Sequence, residues 1–176
     1  MIFHPTTLAD ARVIELEPIR DPRGFFARTF CVEEFTRHGL EAHYPQHSIT
    51  YTANKGSVRG MHFQSEPHGE AKLVRCTRGA IWDVIIDIRH GSPTYRRWQH
   101  FELVSGDGKQ LYVPKGFAHG LQTLCDDVEV SYLISTPYEP QAGRGIRHDD
   151  SAFGIRWPLP VSNISEKDLN WPSFTE

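Results

Sequence analysis

The sequence predicts an all-β fold, an antiparallel sandwich or a closed barrel, with only a few short helices. Turn-forming residues punctuate the whole chain, and the runs between them are rich in β-branched and aromatic residues. Short strands separated by Gly- and Pro-containing turns are typical of antiparallel sheets. The clearest turns are 21–24, 54–56, 91–93, 105–108 and 114–116.

Four runs are the main strand candidates, namely 48–52, 80–88, 111–113 and 128–134. In 80–88 both alternating residue sets are rich in apolar side chains, so both faces of this strand are expected to be covered, as in a barrel or a packed sheet. One of these sets contains Asp83 and Asp87, which need partners inside a sheet. Nearby arginines are the predicted partners.

Two short helices are expected. The first covers 32–38, with two glutamates near its start and Gly39 at the C-cap position. The second covers 165–170, with Ser165 as its N-cap. No linker, internal repeat or low-complexity segment divides the chain, which predicts one domain over residues 1–176.

Composition excludes several classes of protein. The 176 residues carry a net charge of −3 with neutral histidines, so no global field attracts the chain to nucleic acid or to a membrane surface. No run approaches the roughly 20 apolar residues of a membrane helix, and residues 1–5 lack the pattern of a signal peptide. Cys31, Cys76 and Cys125 form no CxxC pair, which predicts reduced thiols in a cytoplasmic protein.

Three unusual polar residues lie within strand-like segments. Proton removal beside a carbonyl needs a base, a cation for the enolate oxygen and an acid that returns the proton. His62, Lys72 and Tyr132 are residue types suited to these tasks. Taken singly, a histidine beside Met or Phe is more often a core residue, and a strand tyrosine more often lies at the rim. Both interpretations remain open at this point.

A metal site is disfavoured by the spacing of the histidines. Metal-binding β-barrels often carry two histidines two residues apart on one strand, so that both rings face inward. Gly60 and Gln64 occupy these positions around His62, and Phe117 and Leu121 occupy them around His119. No metal is therefore expected.

A longer series of motifs follows in order along most of the chain. Its first half consists of Asp21-Pro22-Arg23-Gly24-Phe25-Phe26, Arg59-Gly60-Met61-His62-Phe63-Gln64, Lys72-Leu73-Val74-Arg75-Cys76, and Gly79 to Arg89 with Ser92-Pro93-Thr94. Its second half consists of Pro114-Lys115-Gly116-Phe117-Ala118-His119-Gly120, Tyr132, Tyr138, Trp157-Pro158 and Ile164-Ser165-Glu166-Lys167-Asp168. The series resembles the dTDP-4-dehydrorhamnose 3,5-epimerases, nucleotide-sugar epimerases of the cupin superfamily. Single motifs are weak, but the ordered series is specific.

The resemblance implies a jelly-roll barrel, a double-stranded β-helix, that works as a homodimer without a metal or redox cofactor. It implies an enzyme that inverts C3 and C5, or C3 alone, of a nucleoside diphosphate 4-keto-6-deoxyhexose. The implied conversion is dTDP-4-dehydro-6-deoxy-D-glucose to dTDP-4-dehydro-L-rhamnose, for cell-surface polysaccharide.

The resemblance also implies roles for individual residues. His62 would be the base, and Asp168 would pair with its imidazole, as a triad carboxylate does. Tyr132 would return a proton on the opposite face of the sugar, and Lys72 would stabilise the enolate oxygen. The implied substrate-binding residues are Arg23, Arg59, His119, Gln46, Tyr138, Phe26 and Lys167.

The spacing of Arg59 and His62 conflicts with a regular strand, in which the two residues would face opposite sides. For both to reach one ligand, either a bulge must form at Gly60 or Arg59 must precede the strand.

The chain departs from the family pattern at Ser48 and Arg28, where members acting on thymidine-linked sugars commonly have Asn and Glu. These positions lie near the nucleotide base in the family, so a CDP- or GDP-linked 4-keto sugar remains a candidate substrate. Sugar 3,4-ketoisomerisation and a non-catalytic sugar-binding role also remain open.

Overall fold

In the computed structural model, which describes residues 1–175, thirteen strands numbered in chain order form two large antiparallel sheets and one separate hairpin. The larger sheet has six strands in the spatial order β1 (Ile2–Pro5), β2 (Arg12–Glu15), β10 (Lys109–Val113), β7 (Lys72–Arg78), β12 (Val128–Ile134) and β5 (Gln46–Thr52).

The second sheet has five strands in the spatial order β13 (Gly143–Gly145), β6 (Val58–Gln64), β11 (Phe117–Thr123), β8 (Ala80–Asp87) and β9 (Trp98–Val104). The hairpin consists of β3 (Ile19–Asp21) and β4 (Gly24–Phe26). Each strand candidate from the sequence falls within or largely coincides with one of these strands, and the predicted all-β architecture is confirmed.

The main apolar core contains side chains from both large sheets. The larger sheet contributes Val74, Leu111 and Val130, and the second sheet contributes Ile85 and Leu121. Burying this apolar area stabilises the fold by roughly 25 cal/mol per Å².

The expectation that both faces of β8 are covered is confirmed. Ile81 and Ile85 belong to the main core, whereas Val84 and Ile86 belong to a second apolar cluster that includes Phe153 from the C-terminal part of the chain. Because strand side chains alternate between faces, β8 is buried on both sides.

The two aspartates of β8 have different partners. Asp87 is bound by Arg89 at 2.8 Å and by the Thr94 hydroxyl at 2.7 Å, so an arginine partner is confirmed there. Asp83 instead pairs with His119, at 2.8 Å between Oδ1 and Nε2, and the arginine prediction was wrong for this residue. The register explains the difference, because Asp83 lies on β8 beside β11, which carries His119.

Helix α1 spans Val32–Arg37 and ends near Gly39, which has a φ of 68°. A positive φ is accessible to glycine without the steric cost of a Cβ, which suits the end of a helix. Phe35 anchors α1 in a cluster on the larger sheet that includes Leu73 and Tyr112. The predicted helix and its C-terminal glycine are confirmed.

Helix α2 spans Glu166–Leu169, and the Ser165 hydroxyl caps it by accepting a hydrogen bond from the Asp168 backbone N–H at 3.1 Å. The segment before α2 is tied to the start of β6 by a parallel bridge between Ser57 and Asn163. This bridge brings α2 beside β6. Within residues 1–175, no helix is long and apolar enough to cross a membrane.

Candidate active site

A cavity of about 560 Å³ is lined by residues of both sheets and of the α2 segment. Its volume lies within the usual range of small-molecule sites. Nine of the eleven residues predicted from the sequence line this cavity: Gln46, Arg59, His62, Lys72, His119, Tyr132, Tyr138, Lys167 and Asp168.

A bulge in β6 allows Arg59 and His62 to line the same cavity. On the neighbouring strand β11, His62 pairs with His119 and Arg59 pairs with Leu121, so two residues of β6 lie opposite the single residue between them. Gly60 has a φ of 116° and packs so closely on β11 that an added Cβ would lie 2.5 Å from a backbone carbon. Of the two arrangements that the sequence allowed, the bulge at Gly60 is the one present, and Arg59 lies within β6.

His62 and Asp168 form a hydrogen-bonded pair, with 2.6 Å between Nε2 and Oδ1. The imidazole side chain is 44% exposed whereas the carboxylate is 6% exposed, so the histidine reaches the cavity and the aspartate lies behind it. Because Nε2 is committed to Asp168, the acceptor nitrogen available to a ligand is Nδ1.

The carboxylate of Asp168 is held in its ionised form. Burial acts to raise its pKa, but the hydrogen bond and charge of His62 and the backbone N–H of Gly60 outweigh burial, so its pKa is lowered. The Gly60 N–H donates to Oδ2 at 3.4 Å. A buried anion beside an imidazole stabilises the imidazolium that forms when the ring takes a proton.

Tyr132 comes from β12 in the larger sheet, whereas His62 comes from β6 in the second sheet. The two groups therefore line the cavity from different sheets. The Tyr132 hydroxyl lies 3.3 Å from that of Thr50. Burial raises the pKa of Tyr132, although the contact with Thr50 acts in the opposite direction. The phenol therefore stays protonated at neutral pH.

A second histidine–aspartate pair lies deeper in the barrel. His119 is 5% exposed and Asp83 is fully buried, and the His119 ring meets the Tyr132 ring edge-on at 6.1 Å between centroids. A buried aspartate fixes the orientation of the imidazole that it pairs with. His119 is thereby held against the ring of Tyr132.

Lys72 on β7 is paired with a carboxylate inside the cavity. Its ammonium lies 3.0 Å from Oε1 of Glu70 and 3.4 Å from the backbone carbonyl oxygen of His62. Both side chains of the ion pair are largely buried. The contacts fix the position of the ammonium beside the backbone of His62.

Two further cavity residues are anchored by hydrogen bonds. Arg59 donates from Nε to the Thr52 hydroxyl at 2.8 Å and from Nη2 to the backbone of β5, so its guanidinium is fixed at the cavity wall. Gln46 accepts a hydrogen bond from the Tyr138 backbone N–H at 2.8 Å. This bond holds the exposed Tyr138 at the rim of the cavity.

Arg23 and Phe26 lie outside the cavity of their own chain, on the β3–β4 hairpin. Arg23 is paired with Asp21 at 2.5 Å and its side chain is 89% exposed, and Phe26 is 69% exposed. Arg28, one of the departures from the family pattern, is near Glu34 at 3.6 Å and does not line the cavity either. Ser48, the other departure, does line it.

The sequence motifs missed several residues that contact predicted site residues, and three of them touch the polar groups of Lys72, Tyr132 and Asp168. Glu70 pairs with Lys72, Thr50 contacts Tyr132, and Trp171 donates to Asp168. Thr50 shares the period-two face of Ser48 on β5, so strand alternation was the available signal for it, whereas Glu70 precedes β7. Among residues 1–175, no cluster of three or more His, Cys, Asp or Glu side chains could hold a metal ion.

Comparison with known proteins identifies the family. The sequence model of dTDP-4-dehydrorhamnose 3,5-epimerase matches residues 5–176. A curated dTDP-4-dehydrorhamnose 3,5-epimerase of Sinorhizobium fredii is 42% identical, over 100% of this chain and 91% of the relative. The chain belongs to this epimerase family. The family assignment made from the motif series is thus confirmed, and the chain is an epimerase, an isomerase.

Solved structures of family members have the same fold. A dTDP-4-dehydrorhamnose 3,5-epimerase from Bacillus anthracis, with TDP and PPi bound, superposes with a TM-score of 0.94 at 34% identity, covering 98% of this chain and 99% of that one. A 3'-monoepimerase from Streptomyces bikiniensis, in complex with dTDP-quinovose, has a TM-score of 0.88 at 31% identity, covering 97% and 86%. The cupin-type fold expected for the epimerase is confirmed.

Proposed function

We propose that this epimerase inverts C3 and C5 of dTDP-4-dehydro-6-deoxy-D-glucose and yields dTDP-4-dehydro-L-rhamnose, a precursor for polysaccharide. The observation that carries the proposal is the pairing of a His62–Asp168 dyad on one wall of the cavity with a protonated Tyr132 from the other sheet. Inversion at carbon needs a base on one face and an acid on the other.

The first step removes a proton beside the C4 ketone. Nδ1 of His62 takes the proton from C3 or C5, and the electron pair of the C–H bond moves into an enolate whose oxygen carries the negative charge. Asp168 stabilises the imidazolium through its 2.6 Å hydrogen bond. The ammonium of Lys72, held by Glu70, donates to the enolate oxygen.

The second step returns a proton to the same carbon from the opposite face. Tyr132 gives its phenolic proton to the enolate, which restores the ketone with the centre inverted. The imidazolium then loses its proton to solvent and the phenolate regains one, so the enzyme is reset. The pathway moves only protons and changes no oxidation state, so we propose that it requires neither a metal nor a redox cofactor.

The other cavity residues suit the nucleoside diphosphate and the sugar. Arg59 presents a guanidinium, which pairs well with phosphate oxygens. His119, Gln46, Tyr138 and Lys167 complete the proposed contacts. The relatives from Bacillus anthracis and Streptomyces bikiniensis hold TDP and dTDP-quinovose, which supports a thymidine nucleotide here.

A homodimer is proposed because two predicted substrate contacts lie away from the cavity of their own chain. The β3–β4 hairpin exposes Ile19, Phe25 and Phe26 to solvent together with Arg23. Exposed aromatic side chains on a projecting hairpin are typical of an interaction surface. In the proposed dimer, the hairpin of one copy reaches the cavity of the other, so that Arg23 contacts the diphosphate.

The free thiols Cys31, Cys76 and Cys125 suit the proposed cytoplasmic location.

The test incubates the enzyme in D2O with dTDP-, CDP- and GDP-linked 4-keto-6-deoxyhexoses and follows deuterium at C3 and C5 by NMR. We expect uptake at both carbons and formation of the L-rhamno product with the dTDP sugar. Turnover of only the CDP or GDP sugar would overturn the nucleotide assignment, and uptake at C3 alone would make the enzyme a monoepimerase.

The matched control for the test is His62→Asn, which keeps a polar side chain of similar size and removes the base. A positioned base typically contributes at least about 100-fold. Activity of His62→Asn within about tenfold of wild type would contradict the assignment of His62 as the base. Circular dichroism of the variant checks that the barrel still folds.

A further inference from the structure

The carboxylate of the dyad has a second side-chain donor. The indole N–H of Trp171 donates to Oδ1 of Asp168 at 3.3 Å, and Oδ1 is also the oxygen that accepts from His62 at 2.6 Å. The ring of Trp171 meets the His62 ring edge-on, with 6.4 Å between centroids. Trp171 therefore touches the outer side of the dyad while it lines the cavity.

A notch on the neighbouring strand accommodates the indole. Gly145 on β13 pairs with His62 on β6, and a Cβ added to Gly145 would lie 2.2 Å from two atoms of the Trp171 ring. Only a glycine leaves enough room for the ring in this place. From the other direction, the Lys167 ammonium lies 5.4 Å from the centroid of the same ring, within range for a cation–π contact.

We propose that Trp171 is a positioning residue of the epimerase: its indole N–H fixes the Asp168 carboxylate so that His62 keeps its proton on Nε2 and presents Nδ1 to the sugar. This inference rests on the proposed role of His62 as the base.

The physical reason lies in the freedom of the carboxylate. Asp168 is carried by a helix of only four residues, and its Oδ2 has only a long contact, 3.4 Å, from the Gly60 backbone N–H. Two N–H groups that converge on Oδ1 define one orientation of the carboxylate plane. When that orientation is lost, the imidazole is free to adopt the other tautomer, in which Nδ1 carries the proton and cannot act as the base.

The direct test is Trp171→Phe, which keeps an aromatic ring in the notch and removes the N–H. We expect kcat with the 4-keto sugar to fall about tenfold, as is usual when a group that orients a histidine is lost, while KM changes by less than about twofold. Gly145→Ala should have the same kinetic effect, because its methyl group displaces the indole from a different strand.

The matched control is Trp157→Phe. The Trp157 indole also donates a hydrogen bond, to the backbone oxygen of His148 at 2.9 Å, but it does not line the cavity. This control removes an indole N–H from the same part of the chain, and we expect kcat to remain at the wild-type value.

A second measurement does not depend on activity. The 15N chemical shifts of the His62 ring report which nitrogen carries the proton. They are measured through the carbon-bound protons of the ring and are assigned by their loss in His62→Asn. We expect a bare Nδ1 in wild type and in Trp157→Phe, and averaged shifts for the two nitrogens in Trp171→Phe.

Unchanged 15N ring shifts in Trp171→Phe overturn the inference, whatever value kcat takes. A lower kcat with unchanged ring shifts would mean that Trp171 contacts the substrate and does not orient the dyad. Changed ring shifts with a wild-type kcat overturn it as well. If the wild-type enzyme epimerises no 4-keto sugar, the proposed function fails, and the ring shifts still decide whether Trp171 orients the dyad.

Discussion

At the scale of single residues, orientation decides what each group of the cavity can do. The hydrogen bond from Nε2 of His62 to Asp168 leaves Nδ1 as the acceptor, and the burial that raises the pKa of Tyr132 keeps the phenol as a donor. An imidazole and a phenol of these types are common in proteins. Their pairing with a carboxylate and with a buried environment suits the proposed roles of the imidazole as base and the phenol as acid.

Replacing Tyr132 with Phe removes the proposed acid and leaves the proposed base, His62. We expect Tyr132→Phe to slow inversion by about 100-fold or more, while solvent deuterium still enters at C3, because His62 can remove and return the proton on its own face. NMR in D2O measures exchange and inversion in the same sample.

The matched control for this prediction is Tyr51→Phe on strand β5, where the hydroxyl is bound to Asp127 outside the cavity. It should leave both exchange and inversion unchanged. Loss of all deuterium exchange in Tyr132→Phe would mean that the phenol is more than the returning acid.

At the scale of secondary structure elements, the bulge in β6 brings two residues of the proposed site to the same cavity. The spacing of Arg59 and His62 would place their side chains on opposite faces of a regular strand. The extra residue at Gly60 brings both side chains to the same face. The close approach of β11 at Gly120 leaves no space for a side chain. The geometry of the site therefore depends on a glycine that offers no side chain and contacts Asp168 only through its backbone N–H.

Gly60→Ala should destabilise the fold and impair the site together. The added Cβ would lie 2.5 Å from the Gly120 Cα in a backbone conformation that disfavours L residues. We expect a loss of about 3 kcal/mol in the free energy of unfolding, or a fall in Tm of roughly 6–12 °C by thermal denaturation.

Gly91→Ala is the control for the bulge, because no atom lies within 4 Å of an added Cβ at Gly91. Its Tm should remain within about 2 °C of wild type. Wild-type stability of Gly60→Ala would contradict the packing described at this bulge.

At the scale of the whole molecule, the jelly-roll topology unites residues that are far apart in the chain. The cavity takes His62 from one sheet, Tyr132 from the other, and Asp168 from a helix near the C-terminus. The hairpin that carries Arg23 and Phe26 remains outside this assembly within a single chain. Completion of the site by a second copy is therefore a prediction about the oligomer.

Complementation between two inactive variants tests the dimer. His62→Asn disables the cavity and Arg23→Ala disables the hairpin, so a mixed dimer would contain one cavity in which both parts are intact. With equal co-expression, half of the dimers are mixed, and we expect about a quarter of the wild-type activity.

Activity no higher than that of the separate variants would contradict a hairpin that acts on the partner's cavity. Sedimentation velocity on the same samples is the control. Complementation is meaningful only if the protein sediments as a dimer, with twice the 20.1 kDa mass of one chain.

The sequence by itself determined the all-β architecture, the two short helices, the Ser165 cap and the covered faces of β8. It also required either a bulge at Gly60 or a strand that begins after Arg59. These features depend on side-chain periodicity, turn residues and steric limits of the backbone, which act over a few neighbouring residues. The ordered motifs also determined the family.

Only the tertiary structure decided which groups meet. It assigned Asp83 to His119 instead of to an arginine, paired Glu70 with Lys72, and placed the Trp171 indole on Asp168. It also left the β3–β4 hairpin outside the cavity of its own chain. These contacts join residues of different strands and loops, so they depend on strand order and register, which no local pattern in the chain specifies.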